Sequence, residues 1–495
     1  MAAVVRYREF WGVTKRAELL ASLNAEGAAF DASYQVLSPS EGNRFALRPV
    51  GAANEYAIWA PLRNLAAEPP LNGPVERRGM ALIDMDRKAL SDRLRAYFDP
   101  TVPNEAVRAM HPALLMTGNR IEGPKARAAL LTKSQFRASR IVRYPWKPFD
   151  VRWCYLDNIR PLFSEPSPDL IRLSGVPQQA FFITRDDADT PEEGPPSYFS
   201  ALICDYDFLR GHARLFPLVL PTTAPGLLAE GAKQFAFDYG STAHLRPNLS
   251  PAALAWTASL GLPPDADTSR LVWHHALAVT YSPAYLAGNA AGIRQGWPRI
   301  PLPGDADTLR ASAALGARLA ALLDADTPVP GITTGTLDPA LAAIAVPTTR
   351  PGAARDWHLT GWGHRSEKGI TMPGRGLITA RPYAPDEAAT AAQAERLGAQ
   401  TLDVGMNGAS YWKNIPERVW EVHIGGYQVL KKWLSYRDHS ILKRALAEEE
   451  VAHVQATARR LAAILLMGPA LDASYRACAA AHRPLPASST ALTPP

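Results

Sequence analysis

Two stretches of this chain gather residue types able to hold a polyanion or a flat ring. In Arg143-Tyr144-Pro145-Trp146-Lys147-Pro148-Phe149-Asp150-Val151-Arg152-Trp153, the cations Arg143, Lys147 and Arg152 interleave with four aromatic rings. Guanidinium and ammonium groups pair with phosphates, arginine can grip a guanine edge with two hydrogen bonds, and aromatic faces stack on an unpaired base. The competing reading is an aromatic corner of the core with its cations in water. The second stretch runs from Gly425 to Arg437. On a helix, Tyr427, Leu430 and Leu434 fall on one face, and Gln428, Lys431, Lys432 and Ser435 fall on another. Gly425 and Gly426 ahead of that helix would let its first amides approach a phosphate, with charge from Lys431, Lys432 and Arg437. Gln428 and Arg152 are the expected base readers, because a glutamine amide matches an adenine edge. The competing reading here is an ordinary amphipathic helix with a solvated lysine face.

Elements to carry these residues are legible from periodicity. Val151, Trp153 and Tyr155 alternate with Arg152 and Cys154, the period of a half-buried strand with its apolar set inward. Further strands are expected at 34–37, 44–47, 180–183, 198–203 and 420–424, with a surface loop over 186–196. Helical spacing marks residues 15–23, 86–98, 104–115 and 124–131, with Leu90, Leu94 and Tyr97 inward and Arg87, Lys88, Arg93 and Arg95 elsewhere around the helix. Helices return over 250–260, 272–294 and 308–323, the last after an Asp307 cap. The 328–351 stretch reads as a boundary or long loop. A final helix carries Val451, Val454, Ala458, Leu461 and Leu465.

Other chemistries lack their residues. No Pro-Pro tetrapeptide of the type that holds a target amino group occurs: Gly194-Pro195-Pro196-Ser197 and Leu262-Pro263-Pro264-Asp265 both lack the required residues. Gly361-Trp362-Gly363 has no helix behind it to form a donor-binding turn, and no GxxxxGK(S/T) loop is present. His274 and His275 are adjacent, so on a helix they diverge and cannot easily share a metal; His358 and His364 flank a glycine turn. Cys154, Cys204 and Cys478 are scattered without ligand spacing and read as small buried hydrophobes. The sequence therefore shows no catalytic residue, no metal site and no cofactor site. The formal net charge of +6 permits a nucleic-acid partner without requiring one. No run approaches the roughly 18 apolar residues of a membrane helix, and the N-terminus turns polar too early for a secretory signal, so a cytoplasmic address is expected.

Four strings resemble the C-terminal half of the type ISP single-polypeptide restriction–modification enzymes. These are Arg6-Tyr7-Arg8-Glu9-Phe10-Trp11-Gly12, Pro148-Phe149-Asp150-Val151-Arg152-Trp153, Trp297-Pro298-Arg299-Ile300-Pro301-Leu302-Pro303, and Val419-Trp420-Glu421-Val422-His423-Ile424 running on to Leu434. They occur in the expected order and span nearly the whole chain. Complete members of that family join a nuclease, a translocating ATPase, an adenine N6-methyltransferase core and a target-recognition domain.

The resemblance implies an α+β fold in three parts. Residues 1–140 would form a helical connector corresponding to the end of the methyltransferase domain. Residues 141–482 would form a mixed α/β target-recognition domain with a helical C-terminal cap, and 483–495 a disordered tail. The implied function is sequence-specific binding of double-stranded DNA as the specificity part of an adenine methyltransferase. S-adenosylmethionine would then be held outside this chain, for instance by a separate methyltransferase or translocase polypeptide. Rival readings are a methyltransferase active through other motifs, and a protein-interaction scaffold or degenerate fragment without a DNA role.

Overall fold

The computed structural model describes residues 4–10, 14–24, 27–37, 54–118, 121–157, 159–176, 178–186, 193–222, 245–367, 370–385, 387 and 391–486. The strand expected at 44–47, residues Trp11 and Gly12, most of the 186–196 loop and the end of the tail lie outside them. Helices and short strands alternate, and the strand pairs that make up the sheets are antiparallel, so the architecture is α+β.

Three sheets matter most. Ile141–Lys147 and Asp150–Tyr155 form a hairpin, and Ile83–Asp84 joins its outer edge through Ile83↔Cys154 and Asp84↔Trp153. A four-stranded sheet is ordered Leu71–Asn72, Arg214–Pro217, Phe181–Thr184, Tyr198–Ser200. A second is ordered Val346–Thr349, Ser410–Pro416, Thr401–Gly405, Leu377–Arg381. The stretch read as a boundary at 328–351 thus supplies an edge strand, because Val346 to Thr349 find partners in Lys413 to Ser410.

The helices follow their caps. Asp86 accepts the amide protons of Lys88 and Ala89 to start Arg87–Tyr97, whose Leu90, Leu94 and Tyr97 are buried as expected. Arg93 is buried beside them, against expectation. Its Nε donates to the Ala81 carbonyl at 2.9 Å, and its other nitrogens reach the Ile83 carbonyl and Asp84, so the guanidinium closes off polar backbone that the strand leaves over. The single helix expected over 272–294 is two, Ala266–Thr280 and Pro283–Ile293. Pro283 cannot continue the first helix, and Ser282 caps the second. Ala306–Leu323 is capped by Asp305, not Asp307. It lies backbone to backbone on Ala266–Thr280: a Cβ on Gly316 would stand 1.8 Å from the His274 carbonyl oxygen. Across that contact His275 is buried and bonded to Ser312 Oγ at 2.8 Å and the Pro301 carbonyl at 2.9 Å.

One hydrophobic core runs from Tyr56 to Leu471 and takes in the connector helices, the sheets and the C-terminal helix Glu448–Leu466. The division expected at residue 140 therefore falls inside a shared sheet and a shared core. All three cysteines are buried free thiols. Among the described residues, no helix is long and apolar enough to cross a membrane.

Candidate nucleic-acid interface

The aromatic hairpin carries its arginine inward. Its second strand alternates over most of its length, but Asp150, Arg152 and Cys154 are buried while Val151 and Trp153 are half-exposed, and of the expected inward set Tyr155 alone is buried. The inversion has an electrostatic cause. Arg152 donates to Asp150 through Nη2 at 2.6 Å and Nε at 3.1 Å, and Arg437 donates to the other oxygen of Asp150 at 2.9 Å. Burial alone would raise the Asp150 carboxyl, but the two guanidiniums outweigh it and hold the group well below the usual carboxylate range. Flat rings complete the box: Arg152 lies 5.3 Å from the Trp146 ring centroid and 4.5 Å from that of Tyr436. The stretch is thus an aromatic corner, with cations that are paired within the fold instead of solvated.

The same applies to the neighbouring cations. Lys147 is buried, donates to the Asp207 carbonyl and faces Asp205 at 3.9 Å; burial lowers its ammonium's affinity for protons, and Asp205 opposes that shift. Burial lifts the Asp205 carboxyl to about 6, with Lys147 pulling the other way. Arg143 is half-buried over the Trp153 ring at 4.9 Å and forms a two-pronged pair with Asp326 at 2.8 and 2.6 Å.

The second cluster differs from expectation at its head. Gly425 and Gly426 do not open a helix; they are the turn of a hairpin pairing His423–Ile424 with Tyr427–Gln428, with φ of 54° and 86°. Both positions need left-handed backbone, the two-residue turn that glycine pairs favour. Their amides are committed, Gly425 N–H to the Pro195 carbonyl and Gly426 N–H to the Glu193 carbonyl, each at 2.9 Å, so neither is open to a phosphate. The strand expected over 420–424 shrinks to His423–Ile424, because Glu417–Trp420 is a helical turn.

The helix itself runs Val429–Tyr436 and buries Leu430, Trp433, Leu434 and Ser435. Ser435 leaves the expected polar stripe because Gly363 packs against its carbonyl, where a Cβ would come within 2.0 Å. Gln428 donates from Nε2 to the Trp420 carbonyl at 2.9 Å, which ties its side-chain amide to the fold. Arg437 is buried over Trp433 at 3.8 Å between Asp150 and Glu450, which makes it a brace and not a phosphate contact. Lys431 and Lys432 remain half-exposed. Lys432 stands 4.8 Å from the Tyr436 ring and 5.7 Å from that of Tyr427, and its pKa falls to about 8, first through burial and then through repulsion from Lys147 and Arg152.

The structure thus brings together two clusters lying almost 300 residues apart: Asp150 bridges Arg152 and Arg437, a separation of 287 positions. At their junction opens a cleft of about 810 Å³, with Trp146, Arg152 and Tyr436 contributed by the two clusters. The other walls come from places that sequence reasoning did not single out: His111, the Asp205–His212 loop with Tyr206 and His212 stacked at 4.3 Å, and the hairpin of Gly363–Arg365 with Thr371–Pro373. No spacing marks these residues, because each arrives on a different element. The acid Asp150 between two cations was a usable signal, since a carboxylate two positions from an arginine on a strand shares its face.

A family model described as the Type ISP C-terminal specificity domain matches residues 71–463. The chain belongs to that family. The matched specificity domain begins at residue 71, upstream of the division expected at 140. No curated protein matches the chain. Among solved structures, a nuclease-deletion mutant of the Type ISP restriction-modification enzyme LlaGI in complex with a DNA substrate mimic is 14% identical, with a TM-score of 0.53 over 93% of this chain and 38% of that one. The DrdV–DNA complex, solved by cryo-electron microscopy, is 15% identical with a TM-score of 0.54, over 93% of this chain and 42% of that one. The ATP-dependent Type ISP enzyme LlaBIII bound to DNA is 10% identical with a TM-score of 0.53, over 90% and 26%. At such identities the likeness is one of fold. This specificity-domain chain spans less than half the length of each of these three chains.

Proposed function

We propose that this chain reads double-stranded DNA as the specificity part of an adenine N6-methylating restriction–modification system. The observation that carries the reading is the family match over residues 71–463, together with the meeting of the chain's two cation-and-ring clusters at one open cleft. Solved enzymes that share the fold are complexes with DNA, which supports the same partner. Lys431 and Lys432 are the cations of the two clusters best placed to meet phosphates, while Lys147, Arg152 and Arg437 hold the surface in shape. Methyl transfer would draw S-adenosylmethionine from a catalytic core outside this chain, in a cytoplasmic assembly.

Band shifts of the full chain on duplex DNA across a salt series test this. Each phosphate contact contributes about −0.9 to the slope of log affinity against log salt. Replacing Lys431 and Lys432 together by Ala should make the slope shallower by roughly two such contacts and weaken all sequences alike. Unchanged slope and affinity in the double variant would remove these lysines from the interface. A calorimetric titration with S-adenosylmethionine is expected to give no heat; binding would favour a chain active by itself.

A further inference from the structure

The cleft between the two clusters is too small for a duplex: at about 810 Å³ it falls in the roughly 300–1,000 Å³ range of sites for small molecules. Its charge argues against an anion inside. Glu76, Asp84, Asp205 and Asp207 line it against Arg77, Arg152 and Arg365, so the interior carries no positive excess. Three of the acids are already engaged by the fold. Glu76 accepts the amide protons of Arg78, Met80 and Leu82 at 2.9, 3.1 and 3.0 Å, Asp84 holds Arg93, and Asp205 accepts from Tyr144 at 3.2 Å. What the cleft offers a ligand is flat: the half-exposed rings of Trp146 and Tyr436, and the stacked pair Tyr206 and His212, whose histidine is exposed. Arg77 and Arg365 are exposed among the lining residues, where a phosphate can stay in water.

One buried polar atom also wants a partner. His111 Nδ1 has no hydrogen bond among the described residues, and burial, assisted by Arg93, lowers the imidazole's pKa to about 4. The ring is neutral near pH 7 and can exchange a hydrogen bond with a base edge at no cost in charge.

We propose that the cleft receives a single unstacked nucleobase of bound DNA, held between the Trp146–Tyr436 wall and the Tyr206–His212 pair with its phosphates kept outside. This rests on the DNA reading above and adds to it a second mode of contact, stacking on one extruded base. A free nucleotide presents the same chemistry, so the test separates the two sources.

The full chain is titrated with labelled duplexes of one sequence, either continuous or carrying a one-nucleotide bulge at successive positions. At least one bulged duplex should bind about 5- to 150-fold more tightly than the continuous one, the range expected for one base stacked on an aromatic ring. Trp146→Ala should bring that ratio to about one, and Trp146→Phe, which keeps a ring, should retain most of it. Ile370→Trp, at an exposed position on the cleft, narrows the opening without touching the core and should also abolish the preference. Equal affinity for bulged and continuous duplexes overturns the base-binding cleft and leaves the DNA reading standing. Competition by deoxyadenosine monophosphate at the concentration where bulged DNA competes assigns the cleft to free nucleotides instead. Failure to bind any duplex removes the DNA reading itself, and this inference with it.

Discussion

A carboxylate buried between two guanidiniums is stable only while all three keep their charges, and Asp150 occupies that position between Arg152 and Arg437. Asp150→Asn leaves two enclosed cations short of a counter-charge, a class of change that costs about 3–5 kcal/mol. Chemical denaturation at pH 7 should read that loss. The sign of the pH dependence follows from the lowered carboxyl. Below its unfolded-state value of about 4, the unfolded chain binds a proton that the folded chain refuses, so this part of the stability is full above that pH and disappears as pH falls. The wild type should therefore lose more stability than Asp150→Asn on acidification from pH 5. Lys432 acts in the opposite range. With its pKa lowered to about 8, it is charged at pH 7 and mostly neutral at pH 9. DNA affinity should weaken across that interval in the wild type and hold in Lys432→Arg, whose guanidinium stays protonated. Equal weakening in both proteins would place the titrating group elsewhere.

Elements are held at fixed distance by glycines where backbones meet. Gly316 lets Ala306–Leu323 lie on Ala266–Thr280, and the obstacle to a side chain there is a main-chain carbonyl that cannot swing aside. Gly316→Ala must push the helices apart, with a cost of roughly 1–3 kcal/mol for overpacking, measurable as a lower melting temperature. The Gly425–Gly426 turn does related work. A Cβ on Gly425 would meet Leu209 Cδ2 at 2.4 Å, so the turn sets the 205–212 loop against the lysine helix and thereby shapes one side of the cleft. Sequence reading found this glycine pair but gave it the wrong task. Glycine's freedom permits both a helix head and a hairpin turn, and only the presence of Leu209, Glu193 and Pro195 across the gap selects the turn.

Across the whole molecule, the connector and the recognition region share one core and two sheets, since Ile83–Asp84 completes the hairpin sheet and Leu71–Asn72 edges another. A chain cut to 141–482 should lose both strands, expose their partners and fail to give the cooperative unfolding transition expected of the full chain; matching transitions from the two would refute the shared core. What the sequence determined alone was local. The helices beginning near Asp86 and Ser250, the stripe along Glu448–Leu466, the buried cysteines and the chemical character of the two cation-and-ring clusters all follow from neighbours within a few positions, and the motifs carried the family. The tertiary structure decided which cations are spent. Arg93, Arg143, Lys147, Arg152 and Arg437 look alike in sequence to Lys431 and Lys432, yet the first five meet carboxylates or carbonyls brought from 2 to 287 positions away. Charge is a property of a residue, but its availability depends on what the fold sets opposite it, because pairing and desolvation act through distances that no linear spacing contains.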